Sequence, residues 1–163
     1  TVTRSADLAS ITGTNFSSFF NQNEGTFYTS TYKQTAPSGA GMRVLEISDG
    51  TNNNRTEIGY FSTGAYIYSS YSGPVQYQTY PSTTFPTSTK QAFSYSQLVN
   101  NLTYITSLSS SVSRYNKFLK PTYTSLGIGR ATAAGTNQFG GTISRLTYYP
   151  RRLKDFQLSL LTQ

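Results

Sequence analysis

The last quarter of the chain, from Phe139 to Leu161, most constrains the fold. It reads FGGTISRLTYYPRRLKDFQLSLL, and the β-branched and aromatic residues before Pro150 predict a strand. Pro150 lacks the amide donor that a strand ladder needs and therefore ends this strand. Beyond it, Asp155 stands where a negative charge favours a helix N-terminus, and apolar residues recur at helical spacing: Leu153, Phe156, Leu160 and Leu161. One strand and one short helix cannot form a core, so this segment is predicted to close a larger β-structure.

The closing strand also predicts an irregularity. Ile143 and Leu146 are three residues apart, whereas side chains on one face of a regular strand are two apart. If both face the core, a β-bulge must lie between them, at Ser144–Arg145.

The remaining chain predicts short strands separated by turn residues. Met42–Ser48 and Arg55–Phe61 flank Asp49-Gly50 and three asparagines, which indicates a hairpin. Further strands are predicted at Ser5–Thr12, Thr26–Gln34, Ala65–Tyr71, Gln91–Ser96, Leu102–Leu108 and Tyr123–Arg130. This pattern, without βαβ alternation, predicts an all-β fold: a two-sheet antiparallel jelly-roll sandwich with a short C-terminal helix. Residues 1–163 are predicted to form one domain. Because the chain begins at Thr1, we expect it to be processed or part of a longer protein.

Composition excludes several kinds of catalytic site. The chain contains no histidine and no cysteine, so Ser-His-Asp and Cys-His arrangements cannot form and zinc sites are excluded in practice. Glycoside hydrolysis usually needs two carboxylates across a sugar, and the nearest candidates are Glu46, Asp49 and Glu57. Alternation puts Glu46 and Asp49 on opposite faces, whereas Glu57 can lie opposite Glu46 across the hairpin. Arg43 and Arg55 compete for both glutamates, so surface ion pairing is the favoured interpretation and the chain is predicted not to be an enzyme.

Charge and hydropathy limit the partners. The net charge is +7, which attracts acidic sugars, nucleic acid or membrane surfaces, although a mild imbalance on a surface with few acids is the favoured explanation. The basic residues are dispersed along the chain, which argues against a specific nucleic-acid site. No run approaches the roughly 18 apolar residues of a membrane span, so we expect no membrane insertion. No cofactor is predicted. Asp49 with Asn52–Asn54 offers oxygen ligands that calcium could use, but the preference of these residue types for turns also explains their presence.

The central tyrosines are the candidate ligand site. Tyrosine combines a flat apolar ring with a polar hydroxyl and therefore suits sugar binding. Tyr66 and Tyr68 share one strand face, and three more follow in the next loop; the predicted glycan-binding residues are Tyr66, Tyr68, Tyr71, Tyr77 and Tyr80. Packing of these rings between the sheets or against another subunit is the alternative.

A family resemblance rests on the closing segment. Its residues fit the pattern F-x-G-x-I-x-x-L-x-Y-Y-x-R-x-L-x-D-x-x-L from Phe139 to Leu158. This resembles the end of laminin-G-like, concanavalin A-like lectin/glucanase domains, especially those of bacteriophage tail-fibre and other virion proteins. Ile11–Tyr28 and Ile47–Arg55 also resemble that phage group.

The resemblance implies a role at a virion surface. The expected function is non-catalytic binding of host-surface polysaccharide, strengthened by a homo-oligomer, with a trimer favoured. Assembly would then take place in the host cytoplasm. The alternatives are a capsid or tail decoration domain that binds other virion proteins, and a glycoside hydrolase.

Overall fold

Two antiparallel sheets form the fold, as predicted, in a computed structural model that describes residues 9–33, 41–61, 64–79, 87–116, 122–130 and 138–163. The elements are β1 (Ser10–Thr12), α1 (Gly13–Ser17), β2 (Glu24–Lys33), β3 (Met42–Ser48), β4 (Arg55–Phe61), β5 (Gly64–Ser70), β6 (Val75–Thr79), β7 (Ser88–Ser96), β8 (Asn101–Thr106), β9 (Ser109–Tyr115), β10 (Ser125–Ile128), β11 (Gly141–Tyr149) and α2 (Asp155–Thr162). The six-stranded sheet has the order β1-β10-β3-β4-β5-β6 and the five-stranded sheet the order β11-β2-β7-β8-β9. Strands far apart in sequence are therefore neighbours, as in a jelly roll.

The predicted hairpin is confirmed, and two other strands are shorter than expected. Strands β3 and β4 pair antiparallel, with Glu46 opposite Glu57. The first strand covers Ser10–Thr12 of the predicted Ser5–Thr12, and Ser5–Leu8 lies outside the described residues. The strand predicted at Tyr123–Arg130 forms pairs over Ser125–Ile128 alone, because Gly129, with a positive φ of 69°, turns the chain out of the sheet.

Tyrosine and phenylalanine fill the space between the sheets. Phe20 stacks on Phe16, with ring centroids 4.4 Å apart, and is surrounded by the rings of Phe27, Tyr95 and Tyr148. Such ring pairs stabilise the core beyond simple area burial. The aromatic core explains how a chain with only 36% hydrophobic residues closes a sandwich.

Tyr60 and Tyr104 are fully buried phenols of this core whose hydroxyls have hydrogen-bond partners, as burial requires. The hydroxyls of Tyr60 and Thr31 lie 2.6 Å apart and connect the two sheets. The Tyr104 hydroxyl donates to Gln91 Oε1 over 2.7 Å.

The closing segment confirms the bulge and corrects the helix face. Strand β11 changes register against β2 between Ile143 and Arg145, and Ile143 and Leu146 both pack against the core. Leu153 is buried but precedes α2. The predicted burial of Phe156 and Leu160 is wrong, because the helix begins at Asp155 and directs Leu158 and Thr162 inward, leaving those two side chains 62% and 63% exposed. Leu158 joins Tyr28, Ala92 and Ile105 on the outer face of the five-stranded sheet.

Candidate functional site

The outer face of the six-stranded sheet is polar, and we call it the polar face. Because side chains alternate along a strand, Leu45, Ile47 and Ile67 point into the core, and the residues between them point outward. Registers across the sheet align two rows on this face. The first row is Gln78, Tyr68, Glu57, Glu46, Gly127 and Ser10, and the second is Ser70, Arg55, Ser48, Ser125 and Thr12. Helix α2 contacts β7, β8 and β9, whereas within the described part of the chain no helix makes a comparable contact with β3–β6.

An ionic cluster lies at the centre of the polar face. Arg43 Nε donates to Glu57 Oε2 over 2.5 Å and lies 3.3 Å from Glu46 Oε2. Tyr66 OH donates to Glu57 Oε1 over 3.0 Å. The predicted ion pairing is present, but its predicted surface location is wrong: Glu46 is 0% and Glu57 3% exposed. Two guanidinium groups balance two carboxylates, which is how buried charge is tolerated.

The cluster perturbs the proton affinities of its own members. Burial by itself would lower the pKa of Arg43, but attraction to Glu57 and the hydrogen bond between them raise that pKa above its ordinary value. Burial raises the pKa of Tyr66 well above its ordinary value, and the negative charge of Glu57 adds to the effect. Arg43 therefore stays cationic and Tyr66 stays a hydrogen-bond donor throughout the neutral range.

Arg55 and Arg43 each have a donor nitrogen without a hydrogen-bond partner among the described residues, but Arg43 Nη1 is buried, so Arg55 is the candidate for ligand contact. Its Nε donates to Glu57 Oε2 over 2.9 Å, its Nη1 donates to the carbonyl oxygen of Asn52, and its Cζ lies 4.7 Å from the ring centroid of Tyr68. Within the described residues, Nη2 makes no hydrogen bond. The guanidinium is therefore fixed in orientation before any ligand arrives, which reduces the entropy lost on binding.

The four predicted glycan-binding tyrosines that the structure describes lie in different environments. Tyr66 and Tyr68 share the polar face, as predicted, but Tyr66 is buried as a partner of Glu57, and Tyr68 is half-buried beneath Arg55. Tyr71 lies in the turn after β5 and is 38% exposed. Tyr77 packs against the core, with its ring 5.5 Å from that of Tyr115. Tyr80 lies outside the described residues. Glycan binding by any of them stays a prediction.

The turn between β3 and β4 satisfies its own carboxylate. Asp49 Oδ1 accepts hydrogen bonds from the backbone and side chain of Thr51, and Oδ2 accepts one from Asn54 Nδ2 over 2.7 Å. Burial would raise the pKa of Asp49, but these hydrogen bonds lower it below its ordinary value. The contacts favour the turn-forming role of the asparagine run over calcium ligation. No group of three or more acidic, histidine or cysteine side chains comes together among the described residues.

The two glutamates are not arranged as a glycosidase pair. Both lie against the same Arg43 nitrogen and are almost completely buried, whereas glycoside hydrolysis needs carboxylates on either side of a bound sugar. A sugar ring could enter between them only if the ionic cluster opened.

The described helices include none long and apolar enough to span a bilayer.

The signal for the site was present in the sequence but spread over three strands, β3, β4 and β5. Alternation predicted that Tyr66 and Tyr68 would be neighbours, and the hairpin predicted that Glu46 would face Glu57. It did not predict that Arg55 would lie over the Tyr68 ring, because that contact depends on the register between β4 and β5.

Solved structures with similar folds include carbohydrate-binding domains. The sialidase CBM40 domain of Ruminococcus gnavus, solved with alpha2,3 sialyllactose, matches with a TM-score of 0.71 and 14% identity over 87% of this chain and 84% of its own. The NanB sialidase of Streptococcus pneumoniae matches with a TM-score of 0.72 and 12% identity over 93% of this chain but 26% of its own. A SAP-like pentraxin from Limulus polyphemus has a TM-score of 0.61 and 12% identity over 86% of this chain and 70% of its own.

These similarities establish a two-sheet jelly-roll fold for the chain. No family model matches the sequence, and no curated protein matches it. None of these structural similarities points to a phage protein, so the phage resemblance stays an interpretation of the sequence motifs.

Proposed function

We propose that this chain is a non-catalytic, lectin-like domain that binds an acidic glycan on the polar face, with Arg55 and Tyr68 at the centre of the site. The observation that carries the proposal is the fixed guanidinium of Arg55, which three contacts orient and which keeps Nη2 available. Guanidinium groups recognise carboxylates by directional, charge-assisted hydrogen bonds. The exposed part of the Tyr68 ring beside it offers an apolar surface for a sugar.

The other outer face is less suited to a sugar. Helix α2 covers part of the five-stranded sheet with apolar contacts around Leu158, whereas the polar face combines charge, hydroxyls and aromatic rings. The net charge of +7 further favours an acidic ligand because it raises the local concentration of anions. The sialyllactose bound to the similar CBM40 domain supports a sialylated glycan as the first ligand to test.

Titration of the folded domain with 3′-sialyllactose and with lactose tests this function. We expect binding of sialyllactose in the weak range that avidity normally compensates, and little binding of lactose, which lacks the carboxylate. Arg55→Lys retains the positive charge but loses the planar group that orients Nη2, so it should weaken sialyllactose binding at least about tenfold, equivalent to about 1.4 kcal/mol.

Arg114→Lys is the matched control, because Arg114 pairs with Asp155 near α2 and far from the polar face. The control should bind like the wild type. Equal affinity for sialyllactose and lactose, or equal loss in both lysine variants, would remove the support for an acidic-glycan site at Arg55. A wider array of bacterial surface polysaccharides, with Tyr68→Ala beside the wild type, then searches for the natural ligand.

The proposed setting of this binding is a virion surface. We propose that weak single sites are combined in a homo-oligomer, with a trimer favoured, and that they capture host-surface polysaccharide reversibly. Support for this setting comes only from the resemblance of the closing segment and the two upstream segments to phage virion proteins.

A decoration or assembly role is the second candidate. It is favoured by the exposed apolar side chains of Phe156 and Leu160 on the outward side of α2, since exposed apolar groups that lie together indicate protein contacts. Sedimentation of the wild type and of a Phe156→Ser/Leu160→Ser variant tests it. A wild-type oligomer that the variant abolishes, with no glycan binding in either, would favour assembly over sugar recognition.

Catalysis is the candidate with the least structural support. Turnover of a sialylated or bacterial polysaccharide by the wild type, lost in Glu46→Gln or Asp49→Asn, is the result that would revive a glycoside hydrolase. We expect no turnover by any of the three proteins.

A further inference from the structure

A depression opens on the polar face, apart from the Arg55 site, at the edge formed by β1 and β10. It has a volume of about 280 Å³ and is lined by Ser10, Thr12, Gly13, Gly50, Thr124, Ser125 and Arg130. Sites that enclose a drug-sized ligand measure roughly 300–1,000 Å³, so this depression has room for about one sugar ring. We call it the edge pocket.

The edge pocket is lined mainly by hydroxyl and backbone groups, which suit a neutral sugar, and the charged residue of its lining, Arg130, is already engaged in an interaction with another group. The side-chain hydroxyls of Ser10, Thr12 and Thr124 make no hydrogen bond to any described residue. Thr12 precedes α1, yet its hydroxyl does not cap the helix. Gly13 and Gly50 have positive φ angles and open space beside their Cα atoms, so backbone as well as hydroxyl groups line the cavity. Hydroxyl and backbone groups exchange hydrogen bonds readily with sugar hydroxyls.

The register connects the edge pocket to Arg55. Arg55, Ser48, Ser125 and Thr12 lie in one row across β4, β3, β10 and β1. Three strand spacings separate the ends of this row, a distance of about 14 Å. The two residues between are serines, whose hydroxyl oxygens lie 3.1 Å apart. Both are buried, Ser48 at 0% and Ser125 at 5% exposed, so the row itself holds no large side chain between Arg55 and the pocket, and a ligand that spans the two passes above these serines.

We propose that the edge pocket binds a neutral sugar unit of the same glycan whose acidic unit lies at Arg55, so that the domain recognises an acidic oligosaccharide rather than a single acidic sugar. This inference rests on the proposed glycan-binding function. It adds a specificity determinant on a different pair of strands, formed by Ser10, Thr12 and Thr124.

The test compares free N-acetylneuraminic acid with 3′-sialyllactose, titrated separately into the wild-type domain. A filled edge pocket adds two or three hydrogen bonds, so the trisaccharide should bind about tenfold more tightly than the monosaccharide. Thr12→Tyr fills the pocket with a ring and keeps good strand propensity. It should bring the trisaccharide affinity down to that of the monosaccharide, whose own affinity stays unchanged.

Thr142→Tyr is the matched control, because Thr142 is an exposed threonine on the edge strand β11 of the other sheet. It should keep the full preference for the trisaccharide. Equal wild-type affinity for the two ligands, or a preference that survives Thr12→Tyr, overturns the edge pocket as a sugar site and leaves the Arg55 site standing. Absence of binding to both ligands overturns the proposed function itself, and the edge-pocket site with it.

Discussion

Replacement of Glu57 by glutamine tests whether the ionic cluster holds the polar face together. One oxygen of this carboxylate accepts hydrogen bonds from Arg43 and Arg55, at 2.5 and 2.9 Å, and the other accepts one from Tyr66 at 3.0 Å. Glutamine has nearly the same shape, but its NH₂ group directs donors at donors. It also leaves Arg43 without the main charge that compensates its burial.

The expected magnitude follows from burial. Removal of one partner of a buried pair costs about 3–5 kcal/mol because it leaves an uncompensated charge. We take about 3 kcal/mol for Glu57→Gln, since Glu46 still lies 3.3 Å from Arg43 Nε. In a domain of this size that loss lowers the unfolding midpoint by roughly 6–12 °C.

Urea unfolding and calorimetry measure this loss, and a double-mutant cycle assigns it to the pair. Arg43→Met/Glu57→Gln should be less destabilised than the sum of the two single variants, by about 1 kcal/mol or more. Asp155→Asn serves as a control, because its partners Arg114 and Arg152 are 53% and 25% exposed and solvent-exposed pairs contribute less than about 1 kcal/mol each. A Glu57→Gln variant within about 1 kcal/mol of the wild type would refute the view that the cluster organises this face.

Two further predictions concern the helix and the buried phenols. Leu158→Ala should cost about 3 kcal/mol of stability, whereas Phe156→Ala should stay within about 0.5 kcal/mol of the wild type; similar losses in both would contradict the assignment of the buried side of α2. Burial raises the pKa of Tyr66 and of Tyr104 well above the ordinary value of 10.0. Above about pH 10 the unfolded chain therefore releases protons that the folded protein retains. The stabilisation from these two phenols is complete below that pH and falls as the pH rises further. The free energy of unfolding should fall by about 1.4 kcal/mol per pH unit for each such tyrosine well above pH 10. Tyr104→Phe should reduce this slope by the contribution of one tyrosine. An unchanged slope would contradict the burial of Tyr104 as a neutral phenol.

The sequence predicted those parts of the fold that depend on local patterns. Alternation and turn residues placed β3 and β4 correctly, and the three-residue spacing of Ile143 and Leu146 predicted the bulge in β11. The helix face was wrong because Phe156 and Leu160 fit helical spacing as well as Leu158 does, and only packing against Tyr28 and Ile105 decides between them.

The site depended on contacts between strands that are distant in sequence. Strand β10 lies between β1 and β3, so the sequence did not indicate that Thr12 and Arg55 share a row. The burial of Glu46 and Glu57 was also hidden, since charged residues are seldom fully buried. The concentration of tyrosine was visible, but one type of residue serves the core at Tyr77, the ionic cluster at Tyr66 and the surface at Tyr71.

The most direct test of an acidic-glycan site on the polar face is a map of backbone amide NMR shifts during titration with 3′-sialyllactose. We expect the shifted amides to cluster on β4 and β5 around Arg55 and Tyr68 and to extend along the row to Thr12. Shifts centred on α2 and the five-stranded sheet would contradict the assignment of the face, and an unchanged spectrum at saturating sugar would contradict sialylated-glycan binding altogether.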